Sequence, residues 1–213
     1  MRSGKLARRI QLDFRKRRMQ QFVRAFGLKS GHKLIDIGGT PGNWSLIEVQ
    51  PEILLVNIDE DVWERGRIRK VKGDATRLEF DDNSFDIAYS NSVIEHVGGW
   101  PEITAFAREI RRVAPQYYVQ TPNKWFPLEV HFHMLFLHWL PFGIARHLVR
   151  YLSLFGWTMH PSQARIDEKL RNINLLSEAQ VKELFPDARI FRERFLGMTK
   201  SFVAVKTLNS QTA

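Results

Sequence analysis

The sequence predicts an α/β protein: a doubly wound, mostly parallel sheet of seven strands that ends in an antiparallel hairpin. Three observations carry this. Short apolar runs recur with acids at their carboxyl ends, the first run breaks into a glycine-rich turn, and the chain closes on two strand-like runs around Leu196-Gly197-Met198-Thr199-Lys200. Parallel strands are covered on both faces, so they read as continuous apolar stretches rather than as alternation.

Taken in order, Leu6, Ile10, Phe14, Phe22 and Phe26 fall mostly four apart with arginine and lysine between them. That spacing predicts a basic amphipathic helix over about 5–26, ending near Gly27. Residues 1–30 are read as this arm and 31–213 as the main domain. The arm either packs on the domain and caps its pocket, or binds anionic lipid or RNA. Lys33 to Asn43 reads K-L-I-D-I-G-G-T-P-G-N, a buried strand and tight turn, with a helix expected to start at Trp44. Glycine removes Cβ atoms where a ligand approaches main chain, and a helix start favours an anionic or carboxylate-bearing ligand.

Ile53 to Ile58 is a second strand. Asp59 stands at its carboxyl end, about 20 residues past the glycines, where an acid can take two ribose hydroxyls. Asp61 to Arg67 is expected as a short helical turn, Ile68 to Val71 as a third strand before Gly73-Asp74-Ala75, and Asp86 to Tyr89 as a fourth before Ser90-Asn91-Ser92-Val93-Ile94-Glu95-His96. Pro101 opens a helix to about Val113, since proline is tolerated in a first helical turn. Tyr117 to Gln120 is a fifth strand, Ser177-Glu178-Ala179-Gln180 caps a further helix, and Ala188 to Phe195 with Ser201 to Val205 form the closing pair.

The set D-I-G-G-T-P-G, N-I-D-E-D, G-D-A and F-D-I-A-Y-S-N-S-V-I-E-H-V resembles the class I S-adenosylmethionine-dependent methyltransferases of the type 11 group, over about Leu34 to Thr121. The resemblance implies a Rossmann-like methyltransferase fold and S-adenosyl-L-methionine as cofactor. By position it implies Asp36, Gly38, Gly39 and Gly42 around the methionine moiety, Asp59 on the ribose, Asp74 and Ala75 beside the adenine, and Asn91 at the pocket mouth. Thr40-Pro41 departs from the family pattern, stiffening the loop and removing one N–H.

Methyl transfer from a sulfonium is an in-line displacement, so the protein mainly aligns donor and acceptor and excludes water. A hydroxyl or carbon acceptor also needs a base. Glu95 and His96, at the end of the fourth strand, are the catalytic candidates. Residues 124–157, dense in Trp, Phe, Leu and His, are read as an insertion that covers the acceptor pocket, because they follow the fifth strand on the edge where open α/β sheets bind ligands. Trp125, His131 and His133 are its substrate-binding candidates. Glu129, His131, His133 and His138 are types that ligate metals, but no metal is assigned.

Net charge is +9, yet residues 1–33 hold 11 Lys and Arg against one acid, leaving 21 and 22 in the remainder. The body is therefore close to neutral, which argues against a broad nucleic-acid face on it. Cysteine is absent, so disulfides, thiolate metal sites and cysteine nucleophiles are excluded. That fits a cytoplasmic chain, peripheral at a membrane if the arm binds lipid. The Arg-rich, acid-poor start also fits a transit segment, a reading ranked behind a plain helical arm. The sequence expectation is methyl transfer to a small-molecule acceptor, hydrophobic, lipid-linked or sugar-containing. The alternatives are RNA methylation guided by the arm, or an inactive methyltransferase-like interaction module with Thr40-Pro41 as the lesion. S-N-S-V stands where an adenine or amide methylating enzyme would carry an N-P-P-Y-like run, and the glycines do not form a dinucleotide G-x-G-x-x-G loop.

Overall fold

The computed structural model describes residues 2–208; of the side chains before Leu12 only Arg9 is described, so Leu6 and Ile10 of the expected apolar stripe lie outside the described residues. Among the described residues there are ten strands: β1 (Lys33–Ile37), β2 (Glu52–Asn57), β3 (Trp63–Arg65), β4 (Ile68–Lys72), β5 (Ile87–Asn91), β6 (Gln116–Pro122), β7 (Leu128–Glu129), β8 (Met134–Leu135), β9 (Arg189–Phe195) and β10 (Met198–Lys206). The main sheet runs β3-β4-β2-β1-β5-β6-β10-β9. Its centre is parallel, and β10 and β9 close one edge antiparallel, as the hairpin at Gly197 implies.

The sheet has eight strands rather than seven. The extra one is β3, which pairs antiparallel with β4 through Arg65↔Ile68 where a helical turn was expected over 61–67. Gly66 sits at φ +60° in the two-residue loop between them. Such loops need a left-handed residue, and Gly supplies it without a Cβ clash.

Alternation along the strands sorts the sheet into two faces. Ile35, Ile37, Ala88, Tyr117, Val119, Phe202 and Ala204 pack under α2 (Trp100–Val113) and α6 (Glu178–Leu184). Leu34, Leu55, Ile87, Tyr89, Tyr118 and Val203 pack on the opposite side under α1 (Arg2–Phe26). The helix expected from Trp44 is a single 3-10 turn, Trp44–Leu46. Gly42 precedes it and Pro51 follows, which leaves little helix-forming sequence between. The N-terminal helix covers the surface left bare: Met19 and Phe22 are fully buried, and Phe22 meets Trp44, Tyr89 and Tyr118 edge-on at ring separations of 5.1–6.0 Å. Two buried side chains of this size stabilise by roughly 1.5–3 kcal/mol each.

After β6 the chain leaves the sheet and returns at Leu176, where Asn123 and Leu176 form a bridge and the Lys124 N–H donates to the Leu176 carbonyl at 3.0 Å. The excursion therefore runs well past the expected limit at 157. It holds the β7–β8 hairpin and the helices α3 (Phe142–Leu152), α4 (Leu154–Met159) and α5 (Gln163–Arg171) around a small core of Phe132, Met134, Leu137, Ala145, Val149 and Ile166. That core is why the segment extends: α5 supplies Ile166, and without it one side of Phe132 and Val149 would face water. Ser177 then caps α6 with a reciprocal Gln180 capping box.

Candidate functional site

The carboxyl ends of β4, β2, β1 and β5 lie side by side, so Asp74, Asp59, the Gly38–Gly42 loop and Asn91 share one edge of the sheet. Asp36 is buried at the end of β1. One carboxylate oxygen accepts from the Trp44 indole N–H at 2.8 Å, and the other, Oδ1, has no partner. Burial pushes this carboxyl up to about 7 against the lowering effect of the Trp44 bond. A Cβ on Gly39 would meet that carboxylate at 2.0 Å, and one on Gly38, at φ +73°, would meet Val93 at 2.4 Å. Both glycines are thus demanded by the protein's own close packing. Around Gly42 there is open space apart from the Arg15 guanidinium of α1 at 4.0 Å. Asp59 is half-exposed and bound to Lys70 Nζ at 2.6 Å, which holds its carboxyl below the usual range. Asp74 accepts from Thr76 N–H and Oγ1 at 2.8 and 2.7 Å. Asn91 receives a bond from Arg18 of α1.

At the end of β5 the chain turns through Ile94–His96 and buries Glu95 completely. Glu95 Oε2 accepts from Thr121 Oγ1 at 3.2 Å; Oε1 has no partner and lies 4.0 Å from His96 Nε2. Burial pushes this carboxyl up to about 7. His96 Nδ1 lies 3.3 Å from the Asn172 carbonyl, and its Nε2 lies 3.1 Å from His131 Nε2. His131 Nδ1 is in turn 2.6 Å from Glu129 Oε1. Burial would raise the Glu129 carboxyl, but the hydrogen bonds and charge of His131, with the Phe132 N–H, hold it below the usual range.

His131 and His133, two residues apart, would share one face in an extended strand and be separated in a helix. Residues 130–133 instead make the turn between β7 and β8, with His133 at φ +52°, so His131 points into the cluster while His133 is exposed. Trp125 is 62 % exposed and stands near Trp139. His138 does not join the cluster: both its ring nitrogens are buried without a partner.

Residues 39–116 match the family model described as a methyltransferase domain. Solved structures with similar folds include a complex with the Haloferax volcanii Trm112 methyltransferase activator, at 14 % identity, TM-score 0.56 and coverage of 95 % of this chain and 93 % of that one. Magnesium protoporphyrin IX methyltransferase from Synechocystis, solved with S-adenosylhomocysteine, follows at 13 % identity, TM-score 0.54 and coverage of 90 % and 83 %. A Pyrococcus horikoshii protein gives 18 %, 0.52, 87 % and 85 %. No curated protein matches. Residues 39–116 thus resemble a methyltransferase domain, and the chain as a whole shares the fold of these structures.

Sequence reasoning offered α1 as a helix packed on the domain and capping its pocket, and the structure packs it there; what that reasoning missed is Arg18. Arg18 is nearly buried and reaches Glu193 of β9 through two bonds of 2.9 and 2.8 Å besides its bond to Asn91. Phe14, Arg15 and Arg18 line a cavity of about 160 Å³ whose other walls include Asn91, Ser92, Gln120 and Glu129. The cavity thus runs from the carboxyl ends of β5 and β6 to Glu129, the partner of His131. An arginine on a basic helix carries no signal that distinguishes an internal ion pair from a solvated charge, so Arg18 was invisible in the sequence. The residues fit a sulfonium nucleoside in their order along the strand ends, and the unpartnered Asp36 Oδ1 beneath Gly39 is an acceptor in want of a donor.

Proposed function

We propose that the methyltransferase domain transfers the methyl group of S-adenosyl-L-methionine to a small apolar acceptor presented at a lipid surface. The observation that carries this reading is the excursion after β6. It exposes Trp125, Phe136, Trp139, Ile144, Tyr151, Leu152, Leu154 and Trp157, each 44–67 % accessible, along one continuous stretch of chain. Contiguous exposed apolar surface marks an interaction site, and aromatic side chains suit the boundary between headgroups and hydrocarbon. Lys124 and Arg150 stand among them and suit anionic headgroups, whereas Arg146 is paired with Asp167. Among the described residues no helix is long and apolar enough to cross a membrane, so the contact is one of surface docking.

Asp59 would hold the ribose, Asp74 and Ala75 the adenine, and the Gly38–Gly42 main chain with Asp36 and Asn91 the methionine end. The donor supplies an electrophilic methyl: the acceptor-to-carbon bond forms as the carbon-to-sulfur bond breaks, and the acceptor hydroxyl loses its proton. The Glu95–His96–His131 cluster, bonded through His131 to Glu129 of the cavity wall, is where that proton would be lost. His133, being exposed and turned away, has no place in this reading, and Trp125 belongs to the docking surface.

A specific observation favours a second reading, an inactive interaction module: Asp59 is already paired with Lys70, and Gly38 and Gly39 are filled by protein atoms. Calorimetric titration with S-adenosylmethionine and S-adenosylhomocysteine decides between them. Saturable binding lost in Asp59→Ala supports the enzyme. Absence of binding to either overturns it and leaves the module. Sedimentation with anionic vesicles, lost in Trp125→Ser/Trp157→Ser, tests the lipid surface, and retention by RNA instead of vesicles would overturn that part.

A further inference from the structure

We propose that Glu95, His96 and His131 form a binding site for a divalent transition-metal ion, zinc in the first instance, with Glu129 and the Asn172 carbonyl orienting the two imidazoles.

The argument begins with hydrogen positions. A carbonyl oxygen only accepts, so the 3.3 Å contact from His96 Nδ1 to the Asn172 oxygen requires the proton on Nδ1. The Glu129 carboxylate likewise holds the proton of His131 on Nδ1, at 2.6 Å, while its second oxygen accepts from the Phe132 N–H at 2.7 Å. Both neutral rings are left with a lone pair on Nε2, and these two atoms face each other at 3.1 Å. Two acceptors at that distance repel unless something positive lies between them. Glu95 adds a third acceptor: its Oε1 is buried, has no partner, and lies 4.0 Å from His96 Nε2. The three ligand atoms all fall within 4.8 Å of one another.

The spacing suits a metal. Two ligand nitrogens at about 2.05 Å from zinc, subtending about 100°, stand about 3.1 Å apart. Glu95 must close on His96 by roughly 0.7 Å to reach the same sphere. Ligating histidines characteristically give their other N–H to a carboxylate or a backbone carbonyl, which fixes the tautomer; here one histidine has each. Two histidines and a carboxylate leave coordination positions open, the arrangement of catalytic rather than structural sites. Charge agrees as well, since the buried carboxylates of Glu95 and Glu129 are compensated by a divalent ion. Sequence spacing concealed the site because its ligands come from the turn after β5 and from the β7–β8 turn, 35 residues apart.

The binding claim stands without the methyl-transfer reading. What rests on that reading is the use of the ion, which would take the acceptor's oxygen in an open position, with both Nε2 atoms serving as ligands and the proton released to solvent.

The test uses the untagged full chain, stripped with EDTA and titrated calorimetrically with zinc chloride, with no donor or acceptor present. One ion per chain is expected, with a micromolar or tighter Kd. His131→Asn and Glu95→Gln should each weaken it at least ~30-fold, and Glu129→Gln about 10–100-fold. His133→Asn, altering the exposed neighbour, should leave affinity unchanged, and circular dichroism checks that each variant folds. Absence of saturable uptake, or uptake unaltered in His131→Asn, overturns the proposal. So does a proton shared between the two imidazoles in metal-free protein, seen by NMR, if zinc does not displace it. Because the readout is binding alone, failure of methyl transfer and failure of the metal site are separable.

Discussion

Replacing Arg18 with methionine should cost more stability than its position on a basic N-terminal helix suggests. The guanidinium is buried against Glu193, making two bonds of 2.9 and 2.8 Å, and it also reaches Asn91. Among the described residues Glu193 has only Ser201 as a further side-chain hydrogen-bond partner, so the substitution leaves a carboxylate stranded between α1 and β9. Breaking a buried pair from one side costs about 3–5 kcal/mol, whereas replacing both partners by apolar groups is often neutral. Against a total stability of roughly 5–15 kcal/mol for a domain, and a urea slope of about 2 kcal/mol per molar, Arg18→Met should lower the unfolding midpoint by about 1.5–2.5 M. Arg18→Met/Glu193→Leu should restore most of it. The pH dependence has a definite sign. Burial raises the Glu193 carboxyl, but the Arg18 bonds and charge outweigh it and hold it below 4.5. The stabilisation is therefore present above 4.5 and lost as pH falls below it, so wild type and Arg18→Met should converge in acid. A single-variant loss under about 1 kcal/mol, or a double variant no better than the single, refutes the reasoning.

Asp36 behaves oppositely: its folded carboxyl is raised from 3.8 to about 7, so its contribution is complete below 3.8 and lost as pH rises through 7. Asp36→Asn should remove a fall of a few kcal/mol at most from the urea-midpoint profile between pH 4 and 7, and an unchanged slope would count against the burial argument. Gly39→Ala, whose Cβ meets the Asp36 carboxylate at 2.0 Å, should destabilise by about 1–3 kcal/mol and weaken S-adenosylhomocysteine binding at least ~10-fold. Gly42→Ala, in open space, should change either by little, and equal effects in the two variants would sink the distinction. Ser177→Ala removes the α6 cap and should cost about 1 kcal/mol in urea unfolding; no loss would mean that packing of Val181 and Leu184 alone holds the helix.

The parallel strands were legible because both faces of each are covered, which writes an apolar run into the sequence whatever the neighbours are. The placement of Asp59, Asp74 and Asn91 along one edge of the sheet was legible for a related reason: a strand end is fixed by its strand. The edge strand β3 was not, since three residues with Trp63 and Arg65 at their ends have no period to detect, and only the Gly66 turn distinguishes a hairpin from a helical turn. His131 and His133 show the limit of periodicity more sharply. Two-residue spacing implies a shared face only if the backbone is extended, and a left-handed His133 breaks that condition. The orientation of Glu129 toward His131, which makes the pair a single unit, depends on a hairpin whose strands are two residues long.

The missing helix after β1 and the position of α1 are parts of the same physical problem. A glycine loop that presses main chain onto Asp36 and then turns at Trp44 has no room for a covering helix, yet Leu34, Leu55, Tyr89 and Tyr118 still need cover. The helix that precedes β1 in sequence provides it, wedging Phe22 against Trp44 and Tyr89. Because Trp44 also holds Asp36, and Arg15 overhangs Gly42, the glycine loop is braced from α1 rather than from a helix of its own. The basic arm is then neither an appendage nor a removable tail beyond about Leu12. Truncation at residue 30 would strip Met19, Phe22, Phe26 and Leu28 from the core, so loss of RNA or lipid affinity in such a variant would report unfolding and not recognition. An informative truncation stops before Phe14, where the helix first lines the cavity.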